Sequence, residues 1–591
     1  MQFPMFVVSV AQLLKMTEVR AHEILKGEGI AVEYEESMGK AAFISHEWVG
    51  DGHPDPEFKQ LSVLQDALTY MMSDLQQIPA DGFTEVHCKK KPFSTSALRT
   101  QALCVWYDYF CCPQLGHQLS LSSSNLSDSE SDLSKAVASI PAYVAKCSFF
   151  FALCPVIMSE ELGKVFSPQT WAERGWCRME RTVHDLSKSD GWFMIKSWSE
   201  IELVASFGGA VGGAPGFGKF TVGSDRRKLA PVLSGALKCK LQTLLKSLNL
   251  QDYRVLLNMQ NSIMQGLPAQ ELAEPRPGFA SAKGLDDESL AVSAFMYQNG
   301  FELVQEVDDA GWSPLHYAAL AGQTLVVQGL LAQRANLDCQ TQHEQPRVGI
   351  APGTTALTIS CFAHHNDVAK LLIAAKATMD LGLVPPLHYA AHAGNSEGIR
   401  VLLDAGYDPC TRDFFGLHAL AAACTFGSLD AIDELVSRAR MSIKPSDVSI
   451  ALSIALAAYG GTVDLVHRML DLQADVNDSW SVPLMPTSVF EVWQAINTLE
   501  HQLGHDTSST RFHYHAHGRT PLMVAVMCAQ YEAAAALIAA GAQLDMVNSR
   551  QKSAADFARV ETMPDFLRQA FEGDTTGCKR LASLATKYVE M

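Results

Sequence analysis

The sequence predicts a multidomain chain, with an α/β domain on a parallel sheet in the first half and an α-helical solenoid of stacked repeats in the second. Three observations carry this. The phrase Ser313-Pro314-Leu315-His316-Tyr317-Ala318-Ala319-Leu320-Ala321-Gly322 returns as Pro386-Leu387-His388-Tyr389-Ala390-Ala391-His392-Ala393-Gly394, and more loosely as Thr520-Pro521-Leu522-Met523-Val524-Ala525. Residues 1–250 follow another grammar, in which short apolar runs alternate with helical patterns. The chain has 591 residues, 48% of them hydrophobic, which suits several packed cores.

Residues 1–37 are expected to form a helical extension. The α/β domain then spans 38–250. Lys40 to His46 reads as a buried strand because its run is apolar throughout. A helix follows from Phe58 to Leu75, and Leu103 to Asp108 is a second strand. Ser134 to Lys146 is a helix, Cys147 to Leu153 a third strand, Trp171 to Leu186 a helix, and Trp192 to Ile195 a fourth strand. This alternation argues for a parallel sheet covered by helices. From Asp225 a helix runs through Leu229, Leu233, Leu237, Leu241 and Leu244, with Ser224 as its N-cap, and closes the domain.

Two phrases in this half resemble a known group. Phe43-Ile44-Ser45-His46 is similar to the first strand of Toll/interleukin receptor (TIR) domains. Trp176-Cys177-Arg178-Met179-Glu180 is similar to the motif on their third helix, and it follows the third strand, as it does there. Trp106-Tyr107-Asp108 followed by Pro113-Gln114 resembles an element of fungal heterokaryon-incompatibility domains, which are TIR relatives. The likeness covers about residues 38–200 and implies a flavodoxin-like parallel sheet. It also implies one of two functions. Many such domains are assembly modules that self-associate. Some cleave NAD at the nicotinamide–ribose bond, with the glutamate found here as Glu180.

On the second reading Glu180 is the catalytic carboxylate, and Trp176, one helical turn away, shares its face. Ser45, His46 and Asp108 then complete the ligand-binding rim, at the strand ends where open α/β sheets bind ligands. NAD is a substrate on this reading, and no cofactor is called for. The plainer reading pairs Glu180 with Arg174, Arg178 or Arg181 and leaves Trp176 in the core. His46 with Asp55 or Asp108 lacks the second spaced histidine that a metal centre needs, so no metal is expected. Gly213 to Lys219 matches part of a phosphate-binding loop, but Phe220 stands where a Ser or Thr should follow, so a glycine linker is the expectation. The run from Ser122 to Asp132 is polar and acidic, reads as a loop, and suits acid-directed kinases at Ser127, Ser129 or Ser131.

Residues 251–300, with Pro268, Pro275 and Pro277, read as a linker that passes into a helical cap near Ser289 to Tyr297. The array spans 301–548. Aligned on Leu315, its units continue at Leu357, Leu387, Leu420, Ile454 and Leu522, with gaps of 42, 30, 33, 34 and 68 residues. The phrase and the period of about 33 identify ankyrin repeats, in which a β-turn opens into a pair of helices. A lone unit cannot cover its apolar stripe, so neighbours stack. The last gap is twice the period, so 478–516 holds either a decayed repeat or an inserted finger. His316 and His388 are expected to bond backbone in the turn. Residues 549–591 form a C-terminal cap and tail.

A net charge of −18 makes nucleic acid and anionic membranes poor partners. The longest apolar run, Phe149 to Met158, is too short to span a bilayer. Fourteen cysteines without a framework of spacings fit a reducing compartment, so a cytoplasmic protein is expected. Its partner is expected to be another protein, held by the array.

Overall fold

The structure is a computed structural model that describes residues 1–114, 132–187, 191–205, 213–280, 286–345, 347–440, 443–481, 488–558 and 563–587. The serine-rich run with Ser127, Ser129 and Ser131 lies outside them.

Eleven strands are present among the described residues: β1 (Phe6–Ser9), β2 (Ala31–Glu33), β3 (Lys40–His46), β4 (Gln77–Ile78), β5 (Phe93–Ser94), β6 (Leu103–Trp106), β7 (Phe149–Leu153), β8 (Ile157–Ser159), β9 (Lys164–Phe166), β10 (Trp192–Ile195) and β11 (Ile201–Val204). Seven of them form one sheet in the order β11-β10-β7-β3-β6-β1-β2. β10, β7, β3 and β6 are parallel. β1, β2 and β11 are antiparallel additions at the edges. The expected parallel sheet is therefore a mixed one. Numbered by themselves, the parallel strands run 2-1-3-4, an order used by doubly wound sheets.

The parallel strands sit centrally because their side chains are buried on both faces. Phe43 of β3 stacks between Trp106 and Phe150, with ring centroids 4.4 Å and 5.5 Å away. The N-terminal segment is not a helical extension, since Phe6–Ser9 forms a strand that sits in the sheet between β6 and β2. Apolar runs this short have no period that tells helix from strand, and the open sheet edge decides.

The helix Lys59–Ser73 starts where Asp55 accepts three backbone N–H bonds, from Lys59, Gln60 and Leu61, at 2.7–2.9 Å. The stretch expected as one helix from Trp171 is two, Pro168–Glu173 and Gly175–Ser187. They break because Lys219 comes between them: the Lys219 N–H donates to Glu173 O and the Gly175 N–H donates to Lys219 O. Gly213–Lys219 forms no phosphate cradle. The carbonyls of Gly216 and Gly218 accept from Arg226, and Lys219 pairs with Glu173 at 2.6 Å.

Residues 251–300 are largely helical. Leu250–Met264 and Asp287–Asn299 pair through Tyr253 to Gln298 O and Arg254 to Asn299 O, and they pack on the first repeat. Proline spacing signalled a linker, but all three prolines fall between the helices.

Among the described residues six helix pairs follow, with first helices Pro314–Ala321, Ala356–Phe362, Pro386–His392, Ala419–Cys424, Pro445–Ala457 and Pro521–Met527. Each first helix packs on the next. Pro445–Ala457 packs directly on Pro521–Met527, so the intervening residues form a finger. It carries the helices Val489–Gln502 and Ser508–Tyr514, packed on each other. In the C-terminal tail, the helix Thr576–Lys587 packs on Tyr531–Ala539.

Candidate functional site

Two places gather functional side chains. The first is the carboxyl end of the parallel strands. Ser45 and His46 end β3, and Asp108 follows β6. Ser45 donates to the Glu180 carboxylate at 2.6 Å and accepts from the Trp171 indole at 3.0 Å. Burial pushes the Glu180 carboxyl up to about 8, against the Ser45 hydrogen bond that favours its ionised form. Arg174, Arg178 and Arg181 do not pair with it. Arg174 bonds Thr221, Arg178 the carbonyls of Ala172 and Ala214, and Arg181 that of Gly213.

His46 faces Asp108 at 3.4 Å and stacks on Tyr107, centroids 3.9 Å apart. Burial lowers its pKa, so the imidazole is neutral at pH 7. The other oxygen of Asp108 accepts from Trp48 at 2.9 Å. Among the expected site residues, the structure thus bonds Ser45 to Glu180 and places His46 beside Asp108. Trp176 goes elsewhere, its indole donating to Asp225 on the closing helix at 3.0 Å. Two neighbours escaped the sequence reading. Trp171 lay in an unremarkable helical stretch. Glu47 is buried and held by Thr170, and a carboxylate directly after an apolar strand was the available signal. Among the described residues no cluster of His, Cys, Asp and Glu has a metal-binding arrangement.

The second place is the seam between the two halves. Phe362, His392, Phe426 and Tyr459 stand where the first helices of successive repeats end, and they form a ladder of ring contacts. Phe83 of the helix Gly82–Cys88 packs onto His392, Phe426 and Tyr459 with centroids 6.0–6.2 Å away. Polar ties surround this contact. Lys196, paired with Glu202 at 2.7 Å, donates to Cys528 O at 3.2 Å. Gln169 bonds Gln530 at 2.9 Å, and Glu85 accepts from Thr507 and the Ser509 N–H. Arg580 reaches Glu160 at 2.7 Å. A cavity of about 870 Å³ opens at this seam, between Trp171, Arg178 and Leu186 on one side and Phe362, His392 and Phe426 on the other. Ser45, His46, Asp108, Trp176 and Glu180 do not line it.

The histidines of the recurring phrase are structural. His316 Nδ1 accepts from the Ser313 N–H at 2.9 Å, so its Nε2 carries the proton and donates to Cys339 O at 2.9 Å. His388 Nε2 bonds Leu417 O at 2.9 Å. Each ties one unit to the turn of the next.

Comparison with known proteins finds ankyrin repeats in the second half of the chain. A family model described as ankyrin repeats in three copies matches residues 335–413 and 387–480, and a single-repeat ankyrin model matches 310–342 and 517–549. Human "Ankyrin repeat and SOCS box protein 11" is 34% identical over 120 residues, which is 20% of this chain and 34% of that protein. This chain therefore spans about a third of the length of that relative. Human "Transient receptor potential cation channel subfamily A member 1" is 26% identical over 192 residues, covering 30% of this chain and 16% of the channel. The crystal structure of the human ASB11 ankyrin repeat domain matches with a TM-score of 0.31 and 21% identity, over 44% of this chain and 97% of that one. The C-terminal half of the protein is an ankyrin-repeat array, a class of structure that points to protein partners. Among the described residues no helix is long and apolar enough to cross a membrane.

Proposed function

We propose that this chain is a cytoplasmic interaction scaffold, in which the ankyrin array recruits a protein partner and a TIR-like domain supplies assembly or signalling. The observation that carries the proposal is the six-unit array, whose turns expose Leu383 and Phe414. The ends of its first helices are covered by the chain's own α/β domain, so the exposed turns are the surface offered to a partner. The 2-1-3-4 strand order and the Ser45–Glu180 bond support the TIR-like reading, and fourteen cysteines, none in a disulfide, suit the cytoplasm. To test the recruiting role, proteins captured by the full chain are identified and each is re-measured against purified variants. A partner lost on Leu383→Asp with Phe414→Asp, and kept on Glu180→Gln, supports it. Equal binding to all variants removes it.

The second reading, NAD cleavage, rests on Glu180 at the carboxyl edge of the sheet. It asks for an ionised carboxylate beside the developing ribosyl cation, yet burial keeps this one protonated at pH 7, and the large cavity lies elsewhere. Self-association is therefore the preferred role of the domain. Nicotinamide release from concentrated protein, abolished by Glu180→Ala, would reverse that preference.

A further inference from the structure

The α/β domain reaches the array through a hairpin. β4 and β5 pair antiparallel, and the helix Gly82–Cys88 forms the tip between them. The domain itself shapes this tip. Asp81 caps the helix by accepting the N–H groups of Phe83 and Thr84 at 2.9 Å and 3.0 Å. The Asp81 N–H donates to Leu203 O at 3.0 Å, and the Thr84 hydroxyl accepts from the Ala205 N–H at 2.9 Å.

On the array side the tip meets a built socket. Phe83 packs against three rings, His392, Phe426 and Tyr459, each from a different repeat. One carboxylate oxygen of Glu85 accepts from the Thr507 hydroxyl at 2.5 Å, and the other from the Ser509 N–H at 3.1 Å. The Ser508 hydroxyl donates to Ala80 O at 2.8 Å. An inserted ring, a carboxylate held by two donors and a bonded main-chain carbonyl are the contacts by which a groove reads a short peptide. The ring anchors it, and the directional bonds fix its register.

The contact is also separable from the core. Phe83, Cys88, Phe426 and Tyr459 gather around Ala205 in a small apolar cluster of their own, and all four are only partly buried. The nearby Lys89–Glu344 pair, at 3.4 Å, is 75% and 47% exposed and so adds little. The two halves are joined elsewhere, since Asp225–Lys246 packs on Leu250–Met264, and that helix on the first repeat. A satellite cluster of this size can open while the main core holds.

We infer that the edge of the array holds a docking socket for a short helical segment with an aromatic residue and, two positions on, a carboxylate, and that the hairpin tip is its intramolecular occupant. A partner protein that presents such a segment replaces the tip. The socket is separate from the exposed turns Leu383 and Phe414, and it does not depend on the recruiting role assigned to them.

The test uses the full chain and two labelled peptides of residues 77–94, one with the native sequence and one carrying Phe83→Ala with Glu85→Gln. A full chain carrying the same two changes keeps the socket and loses its tethered competitor. Anisotropy is expected to show the native-sequence peptide binding this variant chain at least about tenfold more tightly than it binds the native chain. On the variant chain the altered peptide should bind at least about tenfold more weakly than the native-sequence one. Adding Phe426→Ala to the variant chain is expected to remove the gain. If the double variant does not fold, Phe83→Ala alone is used, and if Phe426→Ala does not fold, Thr507→Val removes a donor to the carboxylate instead. Equal binding to the native and variant chains, equal binding of the two peptides, or no binding to either chain overturns the proposal and makes the tip a fixed part of the fold.

Discussion

The rings of Phe426 and Tyr459 lie parallel, 2° between planes and 5.7 Å between centroids, although they belong to successive repeats. The two stand at equivalent points of their units, and Phe83 of the α/β domain packs against both. One edge of the solenoid is thereby a docking surface for its own chain.

Removing the Phe83 ring should loosen that seam. Phe83→Ala loses three ring contacts and part of a buried apolar area, at a cost of about 2 kcal/mol. Hydrogen exchange is expected to rise in Gly82–Cys88 and at Phe426 and Tyr459, and to stay unchanged in β3. Faster exchange confined to Gly82–Cys88 would mean that the array does not depend on the contact.

Lys196 is the buried cation of the same seam. Lys196→Met leaves part-buried Glu202 without its cation and Cys528 O without this donor. A loss of about 3 kcal/mol is expected in chemical denaturation. Changing Glu202→Met as well should recover much of it, because an uncompensated buried charge is the main penalty. No recovery would locate the cost in the contact with Cys528.

The turn histidines should make the array acid-labile. Burial holds His316 and His388 down at about 4, below the unfolded value near 6.5. Between those values the unfolded chain binds more protons, so stability is complete above about pH 6.5 and falls as the pH drops toward 4. Thermal unfolding followed from pH 7 to pH 4.5 should show this decline. A variant with both histidines changed to Asn starts less stable and shows a flatter profile.

Glu180 should act in the opposite sense. Its folded value of about 8 lies above the unfolded value near 4.5, so the folded state binds the extra proton between them. Its favourable contribution is complete below about pH 4.5 and lost as the pH rises through 8. Glu180→Gln keeps the neutral shape without the titration, so it should raise the unfolding temperature at pH 9 more than at pH 6. An equal effect at both would show that the carboxylate ionises freely.

Much of this protein was legible in its residues. The four parallel strands lie where their apolar runs stand, because such runs are buried on both faces whatever surrounds them. The six units follow from a period and a turn chemistry that act within some thirty residues. Ser45, His46, Asp108 and Glu180 were picked out by a family resemblance and their places at strand ends and on a helix, and the fold bonds Ser45 to Glu180 and sets His46 3.4 Å from Asp108. Trp176 was placed with Glu180 from a motif resemblance and helical spacing, but Asp225, 49 residues on, holds its indole. No periodicity reports such a partner.

By itself, then, the sequence determined the four parallel strands, their order along the chain and the stacking of the array, since these depend on local propensity and short repeats. The tertiary structure alone decided that Phe6–Ser9 joins the sheet between β6 and β2, that the insertion after the fifth unit carries two packed helices, and that the α/β domain covers one edge of the array. It also decided that burial raises the Glu180 carboxyl above its ordinary value while Ser45 bonds it. Each of these rests on contacts between residues far apart in the chain, as when Phe83 meets Tyr459 or Ser45 meets Glu180. Such pairings carry no local signature, because packing and desolvation are properties of the assembled interior.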